Sequence, residues 1–93
     1  METVIITGAS SGFGEAIAIR FLKEGYNVIA MARRADKLQL LSEKYPGRVM
    51  PAVVDIADKG VVKEVLTNLP EAFSNVTGLV NNAGLSLGFG PSQ

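Results

Sequence analysis

Apolar residues run through this chain in two alternating textures. Thr3 to Thr7 (Thr-Val-Ile-Ile-Thr) and Asn27 to Ala32 (Asn-Val-Ile-Ala-Met-Ala) are short, continuous runs without polar alternation, the signature of parallel strands buried on both faces. Between them Phe13, Ile17 and Phe21, with Ala16 beside them, recur at helical spacing until Gly25 stops the helix. Leu38, Leu41 and Tyr45 mark a second helix, with Asp36 and Gln39 spaced as a capping box and Pro46-Gly47 as the break. A third strand is expected over 48–54, at a sheet edge because Pro51 has no N–H for a central ladder. Asp58 then caps a third helix whose Val61, Val65 and Leu69, flanked by Val62 and Leu66, lead to Pro70. A short fourth strand over 78–81 runs into Asn82-Ala83-Gly84, after which periodicity is lost.

The order βαβαβαβ predicts a Rossmann-like, doubly wound α/β unit, a parallel sheet with right-handed crossovers and strand order 3-2-1-4. No repeat or linker divides residues 1–93, which read as a single domain. Nine basic residues against nine acidic ones leave no net charge, so nothing marks a nucleic-acid or membrane partner, and a small-molecule ligand is expected. The absence of cysteine and histidine removes thiol nucleophiles, disulfides, the usual general base and the usual metal ligand, so no metal site is expected. No apolar run approaches the roughly 20 residues that cross a bilayer, and the N-terminus does not read as a secretory leader. A cytoplasmic location is the corresponding expectation.

Candidate chemistry begins at Gly8-Ala9-Ser10-Ser11-Gly12-Phe13-Gly14, placed between a buried strand and an amphipathic helix. A phosphate approaching the first helical turn meets unpaired backbone N–H groups and the positive end of the helix dipole. In this reading Gly8 permits the turn, Gly12 the close approach of the ligand, and Gly14 the contact between helix and strand. A tight βα turn that binds nothing is the bland alternative; three glycines in seven residues weigh against it, because each costs folding entropy.

The run Thr7-Gly8-x-x-x-Gly12-x-Gly14 and the later Asn81-Asn82-Ala83-Gly84 together resemble the two signature motifs of the short-chain dehydrogenase/reductase family. Within it, Leu79 to Leu85 followed by Leu87-Gly88, with Arg33-Arg34 after the second strand, is similar to the 3-hydroxy acid (serine or allo-threonine) dehydrogenases. The resemblance spans all 93 residues. It implies a nicotinamide dinucleotide, with Asp55 and Ile56 against the adenine and Asn82, Ala83 and Gly84 beneath the nicotinamide ribose, Asn81 holding the fourth strand. Asp55 has a second reading, as a turn residue that satisfies backbone N–H groups before the third helix.

Arg33-Arg34 decides between cofactors. An acidic residue after the second strand accepts from the ribose 2′-hydroxyl and favours NAD, whereas arginine grips a 2′-phosphate with charge-assisted hydrogen bonds. NADP is therefore expected, with Arg33 and Arg34 as clamps and Ser10 assisting. The alternative, two solvated arginines opening a helix, sets positive charge at an unfavourable dipole end.

The family's catalytic groups are a Tyr-x-x-x-Lys pair, a serine and an asparagine. Tyr26 and Tyr45 are followed four residues on by Ala30 and Val49, so neither has its lysine, and Ser86 and Ser92 fall too early to be the family serine. The chain reads as the cofactor-binding half of an NADP-dependent oxidoreductase acting on a small alcohol or carbonyl compound, apparently truncated and inactive alone. A non-catalytic dinucleotide-binding module and a self-associating remnant remain open as alternatives. Because the family sheet continues past its fourth strand, self-association through that strand or the third helix is expected, unless the chain belongs to a longer polypeptide.

Overall fold

A computed structural model describes residues 1–82. The chain runs through β1 (Thr3–Thr7), α1 (Gly12–Lys23), β2 (Asn27–Ala32), α2 (Ala35–Lys44), β3 (Val49–Val53), α3 (Lys59–Thr67), a 3-10 turn over Glu71–Phe73, and β4 (Val76–Asn81). All pairings are parallel and the order is β3-β2-β1-β4, a Rossmann-like sheet as the alternation of elements implies. Every residue of β1 and β2 is buried, which is why these two sequences show no polar alternation. Pro51 sits on the edge strand β3.

Side chains on successive strand positions point to opposite faces, and two cores result. Val4, Ile6, Val28 and Ala30 pack with Ala18 and Leu22 of α1 and Leu38 and Leu41 of α2. Ile5, Ile29, Met31 and Ala52 pack on the other face with Val62 of α3 and Phe73 of the turn. Each fully buried Val, Leu or Ile contributes about 1.5–3 kcal/mol relative to exposure.

Four local expectations need correction. The buried stripe of α1 is Gly14, Ala18 and Leu22, while Phe13 is 81% exposed. The rotation of α1 is set by a backbone contact: a Cβ on residue 14 would lie 2.0 Å from the Gly8 carbonyl oxygen, so the smallest residue must face the loop. The inward face of α3 is Val62, Val65 and Leu66, with Leu69 just past the helix packed on the same core, and Val61 turns to solvent. The Asp36/Gln39 capping box does not form, because α2 starts earlier; Arg34 occupies the N-cap without a side-chain cap bond, and Asp36 falls inside the first turn. The 3-10 turn after Pro70 was hidden by reading that proline as a simple stop; it buries Phe73, and β4 begins at Val76 rather than at 78.

A polar cluster fastens the amino ends of the strands. Arg48 donates through Nε to Asn27 Oδ1 at 2.9 Å and through its terminal nitrogen to the carbonyls of Leu22 and Tyr26 at 3.0 and 2.6 Å. Asn27 Nδ2 donates onward to Ala72 O at 3.1 Å, tying the turn to β2. The opposite end of the sheet is thereby left to the loops that follow the strands.

Candidate functional site

Parallel strands deliver the segments that follow them to one end of the sheet, and in open α/β folds ligands bind there, at the point where the winding reverses. Here that point lies between β1 and β4. The segment after β1 turns at Gly8, whose φ of 65° is open to glycine and strained for most other residues. Ser11 is the N-cap of α1: its Oγ accepts from Gly14 N–H at 3.0 Å and donates to Gly8 O at 2.9 Å. The N–H groups of Gly12 and Phe13 lie in the first turn, where backbone donors lack an intrahelical acceptor, at the positive end of the helix dipole.

The two later glycines differ. Gly14 is required by the protein's own packing against Gly8 and Ala9, whereas a Cβ at Gly12 would meet no atom within 4 Å. The fold thus leaves room above Gly12 that nothing in the described residues uses. A phosphate is a chemical fit for that space, since donors and dipole both favour an anion.

Beside the loop is a cleft of about 510 Å³ lined by Gly8 and Ser10, by Met31 to Arg34 after and along the end of β2, and by Val54 to Ala57 after β3. It brings together the expected Ser10, Arg33, Arg34, Asp55 and Ile56. Both arginines are exposed, but their surroundings differ. Arg34 donates to Asp36 Oδ2 at 3.2 Å, and this hydrogen-bonded guanidinium holds the Asp36 carboxyl below its ordinary range. Arg33 has no ion pair among the described residues. Asp55 Oδ1 accepts from Ala57 N–H at 3.0 Å and its carbonyl from Asp58 N–H at 2.8 Å, so it does shape the approach to α3; its side chain also borders the cleft. Ile56 packs in part on the second core.

The end of β4 is bonded to the loop after β1. Thr7 Oγ1 donates to Asn81 Oδ1 at 3.0 Å, and Asn82 Nδ2 donates to Ser11 Oγ at 2.9 Å and Gly8 O at 3.1 Å. Asn82 therefore holds the glycine loop with its amide nitrogen. Ala83 and Gly84 lie outside the described residues. Sequence reasoning did not find the Asn82–Ser11 bond, since the two lie 71 positions apart and no periodicity links them. Ala9, expected in the site, is buried beneath it, its N–H on Met31 O at 3.1 Å.

Comparison with known proteins decides the family: the model for short chain dehydrogenases matches residues 2–93. The chain belongs to this family. Among its relatives, the serine 3-dehydrogenase of Rhizobium radiobacter is 47% identical over 90 residues, which cover 97% of this chain and 36% of the relative. The NADP-dependent 3-hydroxy acid dehydrogenase YdfG of Shigella flexneri is 43% identical with the same two coverages. A solved structure of the closed form of serine dehydrogenase complexed with NADP+ superposes with a TM-score of 0.81 at 39% identity, covering 86% of this chain and 32% of that one. The present short-chain dehydrogenase sequence thus spans about a third of the length of the relatives that it matches. Among its described residues no helix is long and apolar enough to cross a membrane.

Proposed function

We propose that this chain is the NADP(H)-binding part of an oxidoreductase that moves hydride between the nicotinamide and a small alcohol or carbonyl compound, the substrate class being a 3-hydroxy acid. The observation that carries the reading is the pairing, at one end of the sheet, of an unobstructed Gly12 at the head of α1 with an Arg33 that has no acidic partner among the described residues. A diphosphate suits the first and a 2′-phosphate the second.

NADP, when bound, supplies the hydride acceptor or donor. The chain's residues bind and orient it. Gly12 and Phe13 present N–H groups to the diphosphate, with Gly8 and Gly14 holding the loop and Ser11 capping the helix. Arg33 and Arg34, helped by Ser10, receive the 2′-phosphate, while Asp55 and Ile56 border the adenine. Asn82, with Ala83 and Gly84, serves the nicotinamide side. Residues 1–93 contain no Tyr-x-x-x-Lys, so the reading assigns proton transfer to residues outside them. We also infer self-association along β4, which pairs only with β1 among the described residues and exposes Val76 and Leu79; light scattering showing a stable monomer overturns that inference.

The test is titration with NADPH and NADH, read by reduced-nicotinamide fluorescence. Tighter binding of NADPH is expected, and Arg33→Asp should weaken NADPH by about one to two orders of magnitude, the value of a charged hydrogen bond. Equal binding of both cofactors by the wild type, or unaltered NADPH binding by the variant, overturns the assignment. A bound cofactor without hydride transfer in the full protein favours the non-catalytic module.

A further inference from the structure

We infer that Asp36 is a specificity-determining residue at the 2′-phosphate site: its carboxylate competes with the phosphate for Arg34, so that Arg33 carries the larger part of the discrimination and Asp36 limits its size. This rests on the cofactor reading above and deepens it. The two arginines are neighbours and both line the cleft, yet only Arg34 has an acid, Asp36 Oδ2, within 3.2 Å of its guanidinium. Asp36 stands in the first turn of α2, where the helix dipole favours a carboxylate whether or not a cofactor is present. A 2′-phosphate entering the cleft must therefore displace a standing partner to use Arg34, and it meets a second negative charge while doing so.

An opposite role is conceivable on geometry alone, with Asp36 holding Arg34 in readiness. The bridge argues against it. It is a single contact with both side chains 65% exposed, and such pairs fix side chains weakly. The repulsion between a carboxylate and a nearby dianion acts over a longer distance, close to the screening length at physiological salt. Repulsion should dominate, by about 3- to 10-fold in affinity at low ionic strength.

The experiment compares NADPH and NADH dissociation constants for the wild-type protein, Asp36→Asn, Asp36→Glu, Arg34→Ala and the Asp36→Asn/Arg34→Ala double variant. Asp36→Asn should tighten NADPH by about 3- to 10-fold and leave NADH unchanged, the gain shrinking at about 0.5 M salt. Asp36→Glu, which keeps the charge, should behave as wild type. Arg34→Ala should cost less in the wild-type background than in Asp36→Asn, where the guanidinium is released, and that non-additivity is something a merely structural role of Asp36 does not produce. A preference for NADPH over NADH that is unchanged or reduced in Asp36→Asn, in a protein that prefers NADPH, overturns this inference alone. A wild type with no preference for NADPH overturns the cofactor reading and this inference with it.

Discussion

Asn82 and Ser11, 71 positions apart, share a hydrogen bond of 2.9 Å that joins the end of β4 to the cap of α1. Asn82 Nδ2 also reaches Gly8 O, and Ser11 Oγ in turn accepts from Gly14 N–H, so one amide steadies the whole loop on which the diphosphate is proposed to rest. The loop's shape therefore depends on a residue from the far end of the described chain. Asn82→Ala removes the two hydrogen bonds donated by one amide nitrogen at a half-buried position, each worth about 0.5–1.5 kcal/mol. The variant should melt several degrees lower and bind NADPH about 3- to 10-fold more weakly, measured by circular dichroism and fluorescence titration. Wild-type values in both would show that the loop holds its shape unaided.

Gly12 and Gly14 should separate binding from folding. Gly14→Ala drives a Cβ to 2.0 Å from Gly8 O, a backbone atom that cannot give way without opening the loop, and a loss of about 3 kcal/mol or more is expected from such overpacking. Gly12→Ala meets nothing and replaces glycine in a helix, so stability should hold or rise by up to about 1 kcal/mol. NADPH affinity should nevertheless fall by at least about tenfold, because the methyl group occupies the space left for the ligand. Retained affinity in Gly12→Ala would place the diphosphate elsewhere.

Much of this architecture could be read from residue order, and the reasons are local. β1 and β2 are buried on both faces, so their apolar runs admit one interpretation, and Pro51 marks the edge strand by what it lacks. Arg33 and Asp55, each read from its place just after a strand, line one cleft because a parallel sheet gathers whatever follows its strands at one end. Helix rotation was not legible. Phe13 and Val61 both fit an apolar stripe, yet the faces that pack are set by the Gly14–Gly8 contact and by the sheet beneath Val62, which are tertiary facts. The capping box failed for a related reason: Asp36 and Gln39 have the right spacing, but the chain leaving β2 enters α2 two residues sooner.

Thr3 carries the one buried side-chain polar atom without a hydrogen-bond partner among the described residues. Its side chain is fully buried beside the register shift between β1 and β4, while its backbone N–H is satisfied by Asn75 O at 2.9 Å. Thr3→Val keeps the shape and the β-branch and removes the stranded hydroxyl, whose desolvation costs about 1–3 kcal/mol. The melting temperature should rise by about 4–8 °C for each kcal/mol recovered. A fall on thermal denaturation would mean that the hydroxyl has a partner.

The Asp36–Arg34 pair makes a signed prediction about acid. With its folded-state pKa lowered below the reference value of 3.8, Asp36 contributes stability that is fully present above that reference and is lost as pH falls through the folded value. Followed by carboxyl-carbon NMR, Asp36 should titrate below 3.8 in the wild type and move back up toward it in Arg34→Ala, since the hydrogen bond from Arg34 is the largest cause of the shift. The stability difference between wild type and Asp36→Asn should accordingly be small at neutral pH, as befits an exposed pair, and vanish below the folded value. A midpoint indifferent to Arg34→Ala would show that the two side chains do not pair in solution. Arg34 would then be as free as Arg33, with no standing partner for a phosphate to displace.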